Sequence, residues 1–359
     1  MDAMSVQLEP PTATLPVNWG LAAATGARLV APGPAVSPAQ AALEVARLRE
    51  GARTGEEHVR ELTGLGQGLP VPEADVVDRP AWIRAAVAGM ELLVSDVRLP
   101  ARSSGAIASA ASTVTSTASG AQRGALLAFL GSRVLGQYDP FGGPDQAGRL
   151  LLVAPNVTAA HRAIEADGAD FALWVCLHEA THRLQFTAVP WLRDHFREEV
   201  TSFASGIDRG AAGAIDRLPE ILRSLRSERP TDTLALVELL QGPEQRAVLD
   251  RLLALTTLLE GHAEHVMDEV GPEVVPTVAT IRERFTERRR GGGLIDRLLR
   301  TVLGLDAKIQ QYERGRVFVD RVVAAVGMDG FNQVWTSPDT LPLRAEITDP
   351  EAWIARVHG

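Results

Sequence analysis

The sequence predicts a mainly α protein with one small β-hairpin or sheet, arranged as two lobes. Apolar residues recur at helical spacing through most of the 359-residue chain, and Ser, Asp and Pro stand where helices should begin. Only two short runs, on either side of a Gly- and Pro-containing turn, read as strands. The length exceeds the usual size of one core, which is the ground for expecting two lobes.

Residues 1–16, rich in Pro, Thr and Ala, read as a loose N-terminal tail, with order beginning near Val17. Residues 17–190 would form a lobe holding the small sheet, and 191–359 a helical C-terminal lobe. Ser37 and Pro38 open a helical stretch that two helices, broken near Gly51 to Gly55, describe most simply. Asp78 and Pro80 start another helix, running to about Val94, with Trp82, Ile83, Ala86, Val87, Met90, Leu93 and Val94 on its apolar face. The small-residue stretch Ser103 to Gly120 is expected to be helical and to continue into Leu126–Leu130, a flexible linker being the alternative. Gly136–Phe141 and Arg149–Pro155 form the expected hairpin. If its second strand is a sheet edge, Leu150–Val153 could pair with an extended peptide; otherwise a loop covers it.

Thr158 to Ala166 reads as a short helix, followed by a longer one capped at about Asp170 and ending near Pro190. Helical patterns return from Trp191 to Arg226, with breaks near Gly206 to Gly213 and at Pro219. After a loop at Arg226–Asp232 come helices at Thr233–Leu240 and Pro243–Val270, then a basic hinge or mobile loop at Thr286–Gly293. A helix from Leu294 onward and a last short one from Pro350, capped by Asp349, complete the chain.

Hydrophobic residues at 45% and charged residues at 23% are ordinary for a globular protein. A formal net charge of -9 argues against nucleic acid or anionic membrane as partners, since both need a concentrated positive field. No secretory signal is evident and no stretch approaches the ~20 apolar residues of a membrane span. A single cysteine, Cys176, permits no internal disulfide and fits a cytoplasmic location. It lies about 160° round a helix from His178, so a buried apolar role suits it better than metal ligation.

The chemistry concentrates in Phe171–Phe186, FALWVCLHEATHRLQF. His178, Glu179 and His182 make the H-E-x-x-H pattern, in which residues four apart leave the same helix face and can share one metal ion. Glu179 projects beside that position, where it can take a proton from an attacking water. Two histidines do not complete a catalytic zinc site, which uses three protein ligands and an open position. The extended three-histidine pattern is absent, because Gln185 and Ala188 occupy the positions of its glycine and third histidine. A glutamate from a separate helix is the alternative, and in LLEGHAEHVMD Glu260 and Glu264 share a face. Glu260 is the preferred third ligand, since a glutamate in so apolar a run is costly if buried unpaired. Glu264 is expected to hydrogen-bond the far nitrogen of a ligating histidine. His262 and His265 lie about 200° and 140° from Glu260 and rank below it.

Four segments, LHEATHRLQFTAVPWLRDH, LLEGHAEHVMD, LGLDAKIQQYERGRVFV and the C-terminal FNQVWTSPDTLPLRAEITDPEAWIARVHG, together resemble the zincin-like metallopeptidases of actinobacteria, in the branch associated with deazaflavin coenzyme biosynthesis. The similarity runs from about Val17 to the C-terminus. It implies a zincin-like fold and a zinc-dependent hydrolase of gluzincin type, with His178, His182 and Glu260 as ligands and Glu179 as base. It brings no substrate, and no deazaflavin-binding motif is visible. Tyr312 and His265 are candidate donors to an anionic intermediate, with core packing the competing role for either tyrosine, Tyr138 or Tyr312. Peptides or small amides are the expected substrates. The rival readings are a non-catalytic metal-containing scaffold and a small-molecule amidohydrolase.

Overall fold

The computed structural model describes residues 12–14, 17–100, 123–213, 242–290 and 305–359. Thr12–Thr14 (β1), within the stretch expected to be a loose tail, is a strand. Helix α1 (Trp19–Leu29) follows, capped by the Asn18 side chain, which accepts from the Leu21 N–H at 2.9 Å. Ser37 and Gln40 form a capping box at the start of α2 (Pro38–Thr63). This helix runs unbroken for 26 residues where the sequence suggested two, and the reason lies in packing. A Cβ on Gly55 would stand 3.3 Å from the backbone of Cys176 and Leu177, and one on Gly51 3.3 Å from Cys176 Sγ. The glycines therefore mark a close helix–helix approach, which offsets the ~1 kcal/mol that glycine costs inside a helix.

Strand β2 (Asp75–Val77) leads into α3 (Arg79–Leu93), where Asp78 accepts from the Ala81 N–H at 2.7 Å as its sequence position predicts. Strand β3 (Arg98–Pro100) pairs antiparallel with β1, Thr14 opposite Arg98. After α4 (123–131) come β4 (Gly136–Asp139) and β5 (Arg149–Val153), the expected hairpin. Strand β2 lies parallel on the other side of β5, so the sheet order is β2-β5-β4. The possibility that Leu150–Val153 is a sheet edge is thereby overturned. Its unbroken apolar run is the mark of a strand covered on both faces, and all four residues are at most 1% exposed.

Helix α5 (Ala154–Ala163) leaves β5 directly, earlier than expected, because Pro155 is tolerated in a first helical turn. Helix α6 (Gly168–Ala188) is capped by Asp167, not Asp170. The Asp167 carboxylate accepts from the N–H groups of Ala169 and Asp170, while Asp170 accepts from Thr277. Helix α7 (Leu192–Gly213) passes Gly206 without a break. Next come α8 (Pro243–Glu269), the short α9 (Gly271–Val274) and α10 (Val278–Arg290). Helix α10 carries through Thr286–Arg290, correcting the hinge expected there. Helix α11 (Leu305–Phe331) is interrupted at Gly327, and α12 (Pro350–His358) closes the chain. Asp349 stands at the cap position of α12 but its side chain makes no capping bond. The expectations for Ser103–Gly120, Pro219, Arg226–Asp232, Thr233–Leu240, Gly291–Gly293 and Leu294 lie outside the described residues.

Three apolar clusters hold these elements. One surrounds α6, with Leu48 and Val59 of α2, Leu150 and Leu152 of β5, Val266 of α8 and Ile281 of α10. A second joins α8 to α11 and the C-terminus through Leu255, Leu258, Phe318, Val322, Trp335 and Trp353. The third packs α1, α3 and α4 against Leu151 and Val153, the other face of the sheet. Since α8 belongs to both of the first two, its axial position beside α6 is strongly constrained. Among the described residues no helix is long and apolar enough to cross a membrane.

Candidate metal centre

Helix α6 is buried nearly all round, which is why its sequence shows an apolar run and not a single stripe. One polar face of it turns toward α8. There the Nε2 atoms of His178 and His182 lie 3.1 Å apart, and Oε2 of Glu260 lies 3.5 Å from the first and 3.9 Å from the second. Each residue offers one ligand atom, and the three atoms fall within 4.8 Å of one another. Bonds of ~2.0–2.1 Å at tetrahedral angles put ligand atoms roughly 3.3–3.4 Å apart, so the triangle suits a single small divalent cation. Among the described residues, no other His, Cys, Asp or Glu joins the group.

The far nitrogens of the two imidazoles are engaged differently. Nδ1 of His178 lies 3.2 Å from Sδ of Met267. Nδ1 of His182 lies 2.9 Å from Oε1 of Gln185. The bond expected from Glu264 is therefore replaced by these two partners, and Glu264 Oε2 instead sits 3.6 Å from Arg282. Arg282 also meets Asp268, which a second guanidinium, Arg316, approaches to 2.9 Å. Glu264 is close enough to raise the His178 proton affinity only as a distant charge.

Electrostatics at the cluster favour a cation. Burial works against a charged His178, yet the hydrogen bond and negative charge of Glu260, with the charges of Glu179 and Glu264 added, push the imidazole up to about 9. Glu179 is 7% exposed, and burial pushes its carboxyl up to about 7, with the neighbouring His178 opposing and Glu260 adding to the rise. The backbone N–H of Tyr138 acts the other way, favouring the charged form of the Glu179 carboxylate. That contact depends on Gly136, since a Cβ there would come within 2.6 Å of Glu179 Cγ. The Val153 N–H donates to Leu135 O at 2.9 Å, so by antiparallel alternation the backbone groups of Gly136 and Tyr138 turn away from β5.

The lower-ranked candidates go elsewhere. His262 is fully buried, where burial pulls its imidazole down to about 3, and its ring lies beside Phe331 and Trp335. His265 holds Asp320 of α11 at 2.7 Å. Neither joins the cluster, in keeping with their angular positions on α8. The Tyr138 ring packs near Phe186, and the Tyr312 side chain lies outside the described residues. Cys176 is buried, as expected.

With this geometry in hand, comparison with known proteins places the chain. A sequence model of zincin-like metallopeptidases matches residues 17–354. The chain belongs to the zincin-like metallopeptidase family. No curated protein matches it. Among solved structures it is similar to a candidate hydrolase with a novel fold from Chloroflexus aurantiacus. The two share 29% identity with a TM-score of 0.67, over 95% of this chain and 99% of that one. Family and neighbour together support a hydrolase.

For this zincin-like metallopeptidase, the residues that sequence reasoning passed over are Gln185, Met267 and the Gly136–Tyr138 strand. Gln185 stands three positions after His182, and residues three apart are helix neighbours, so its role was legible in principle. Met267 follows Glu260 by seven positions, about 20° off the same face, and was legible for the same reason. The approach of β4 to Glu179 left no comparable signal, because it depends on how hairpin and helix pack.

Proposed function

We propose that the chain is a zinc-dependent peptidase of gluzincin type, in which His178, His182 and Glu260 hold the metal and Glu179 is the general base. The observation that carries this reading is the ligand triangle, with a glutamate carboxylate buried beside it. Zinc bound there would polarise a substrate carbonyl and bring the pKa of its water towards ~7. Glu179 would take a proton from the attacking water and pass it to the leaving amine. A group that is buried and prone to hold its proton near neutrality suits both steps. Strand β4, and not β5, is the sheet strand next to this base, and a peptide aligned on it would meet the outward groups of Gly136 and Tyr138.

A scaffold with a closed metal site would need a fourth protein ligand. Three ligands among the described residues favour the catalytic reading. The test is metal analysis of the purified protein together with a peptide-library cleavage assay. Glu179→Gln should keep stoichiometric zinc and lose cleavage by at least ~10²-fold. Equal cleavage by wild type and variant would remove Glu179 from the mechanism, and a wild type without zinc would remove the metal reading.

A further inference from the structure

Gln185 is wholly buried between the two helices that carry the ligand cluster, and its partners permit one arrangement of protons. The Leu259 carbonyl can only accept, so the amide atom 3.0 Å from it is the nitrogen. The amide oxygen is then the atom 2.9 Å from His182 Nδ1, and an oxygen there requires Nδ1 to carry the proton. His182 Nε2 is left as a lone pair, 3.1 Å from His178 Nε2 and 3.9 Å from Glu260 Oε2. The remaining amide N–H faces Nδ1 of His262 at 3.1 Å, so His262 accepts there. All of this follows from one backbone carbonyl, and that carbonyl belongs to the residue immediately before Glu260.

We infer that Gln185 is a positioning residue for the metal centre. It locks His182 in the Nδ1–H tautomer and ties the ring to the turn of α8 that presents Glu260. The amide is needed in full: a carboxylate at 185 could still accept from His182 but would set an oxygen against the Leu259 carbonyl and the His262 lone pair. A leucine fills similar space and can do neither. The effect on metal affinity rests on the zinc reading above, whereas the tautomer assignment stands without it.

The experiment has two arms. In nitrogen-15 NMR of metal-free wild type, His182 should show a protonated Nδ1 and an unprotonated Nε2, and Gln185→Leu should shift it toward the Nε2–H form. In chelator competition, Gln185→Leu should bind zinc ~10- to 100-fold more weakly than wild type, and Gln185→Glu should also be weaker. A purely structural role would lower the melting temperature and leave both tautomer and zinc affinity of the folded variant unchanged, which would overturn the inference. A wild-type His182 protonated on Nε2 would overturn it directly, and that measurement stands even if the leucine variant fails to fold. Should wild type bind no zinc, the zinc reading fails while the tautomer result still judges Gln185.

Discussion

Helix α6 is held from two sides by unlike means. Toward α2 the contact is close and mostly apolar: Gly51 and Gly55 bring the backbones together over Leu173, Cys176 and Leu177, and a fully buried Arg183–Glu56 pair at 2.6 Å closes the seam. Toward α8 the contact is polar and directional, with Gln185 bonded to Leu259 and His262, and the histidines facing Glu260. The first seam sets depth, because a Cβ at Gly55 would meet the α6 backbone at 3.3 Å and one at Gly51 would meet Cys176 Sγ at 3.3 Å. The second has no freedom of angle. Depth sets where the histidines lie and angle sets which nitrogen they present, so the two kinds of contact divide the work of building a site.

Breaking each seam should separate those contributions. The largest expected effect is that of Glu260→Ala on the polar side: zinc measured in the purified protein should fall from stoichiometric to a small fraction, with helical circular dichroism retained. Unchanged zinc content would sink the ligand assignment. Next, Gly55→Leu on the apolar side should destabilise the fold by about 1–3 kcal/mol or more, since backbone and not a flexible side chain stands 3.3 Å from the added Cβ. Denaturant melts would read this, and a neutral result would show that α2 can retreat freely. Gly136→Ala should lower kcat about 10- to 100-fold with zinc content intact, because its Cβ would displace the Glu179 side chain.

A further test concerns pH in chelator-treated protein. Folding raises the Glu179 carboxyl from 4.5 to about 7 and the His178 imidazole from 6.5 to about 9. In both windows the folded state binds the extra proton, so stability is lost as pH rises through each. The melting temperature of the metal-free protein should therefore decline between about pH 5 and pH 9, and Glu179→Gln should flatten the lower half of that slope. A rising melting temperature over the range would contradict the protonation pattern of the cluster.

Most helices were legible because their start signals act locally. Asp78 and Ser37 cap the helices their positions announce, and Pro80 and Pro38 stand in the first turns. Glycine was the ambiguous letter. At Gly51 and Gly55 local propensity reads as a break, while the neighbouring helix makes the same residues a point of contact. Asp167 and Asp170 show the limit of a cap reading: both are acidic and three residues apart, and only the helix start chosen by tertiary packing tells which one caps.

Residue spacing and local propensity carried the helical character of the chain and the shared face of His178 and His182, with Glu179 beside it. They also singled out Glu260, because spacing along one helix and the cost of a carboxylate in an apolar run are short-range properties. The packing of α6 against α8 is what turns Met267 and Gln185, not Glu264, toward the far nitrogens. Tertiary packing likewise made β5 the central strand and brought Gly136 against Glu179. Those choices depend on the depth and rotation at which helices and sheet pack, and no spacing within a single element encodes them.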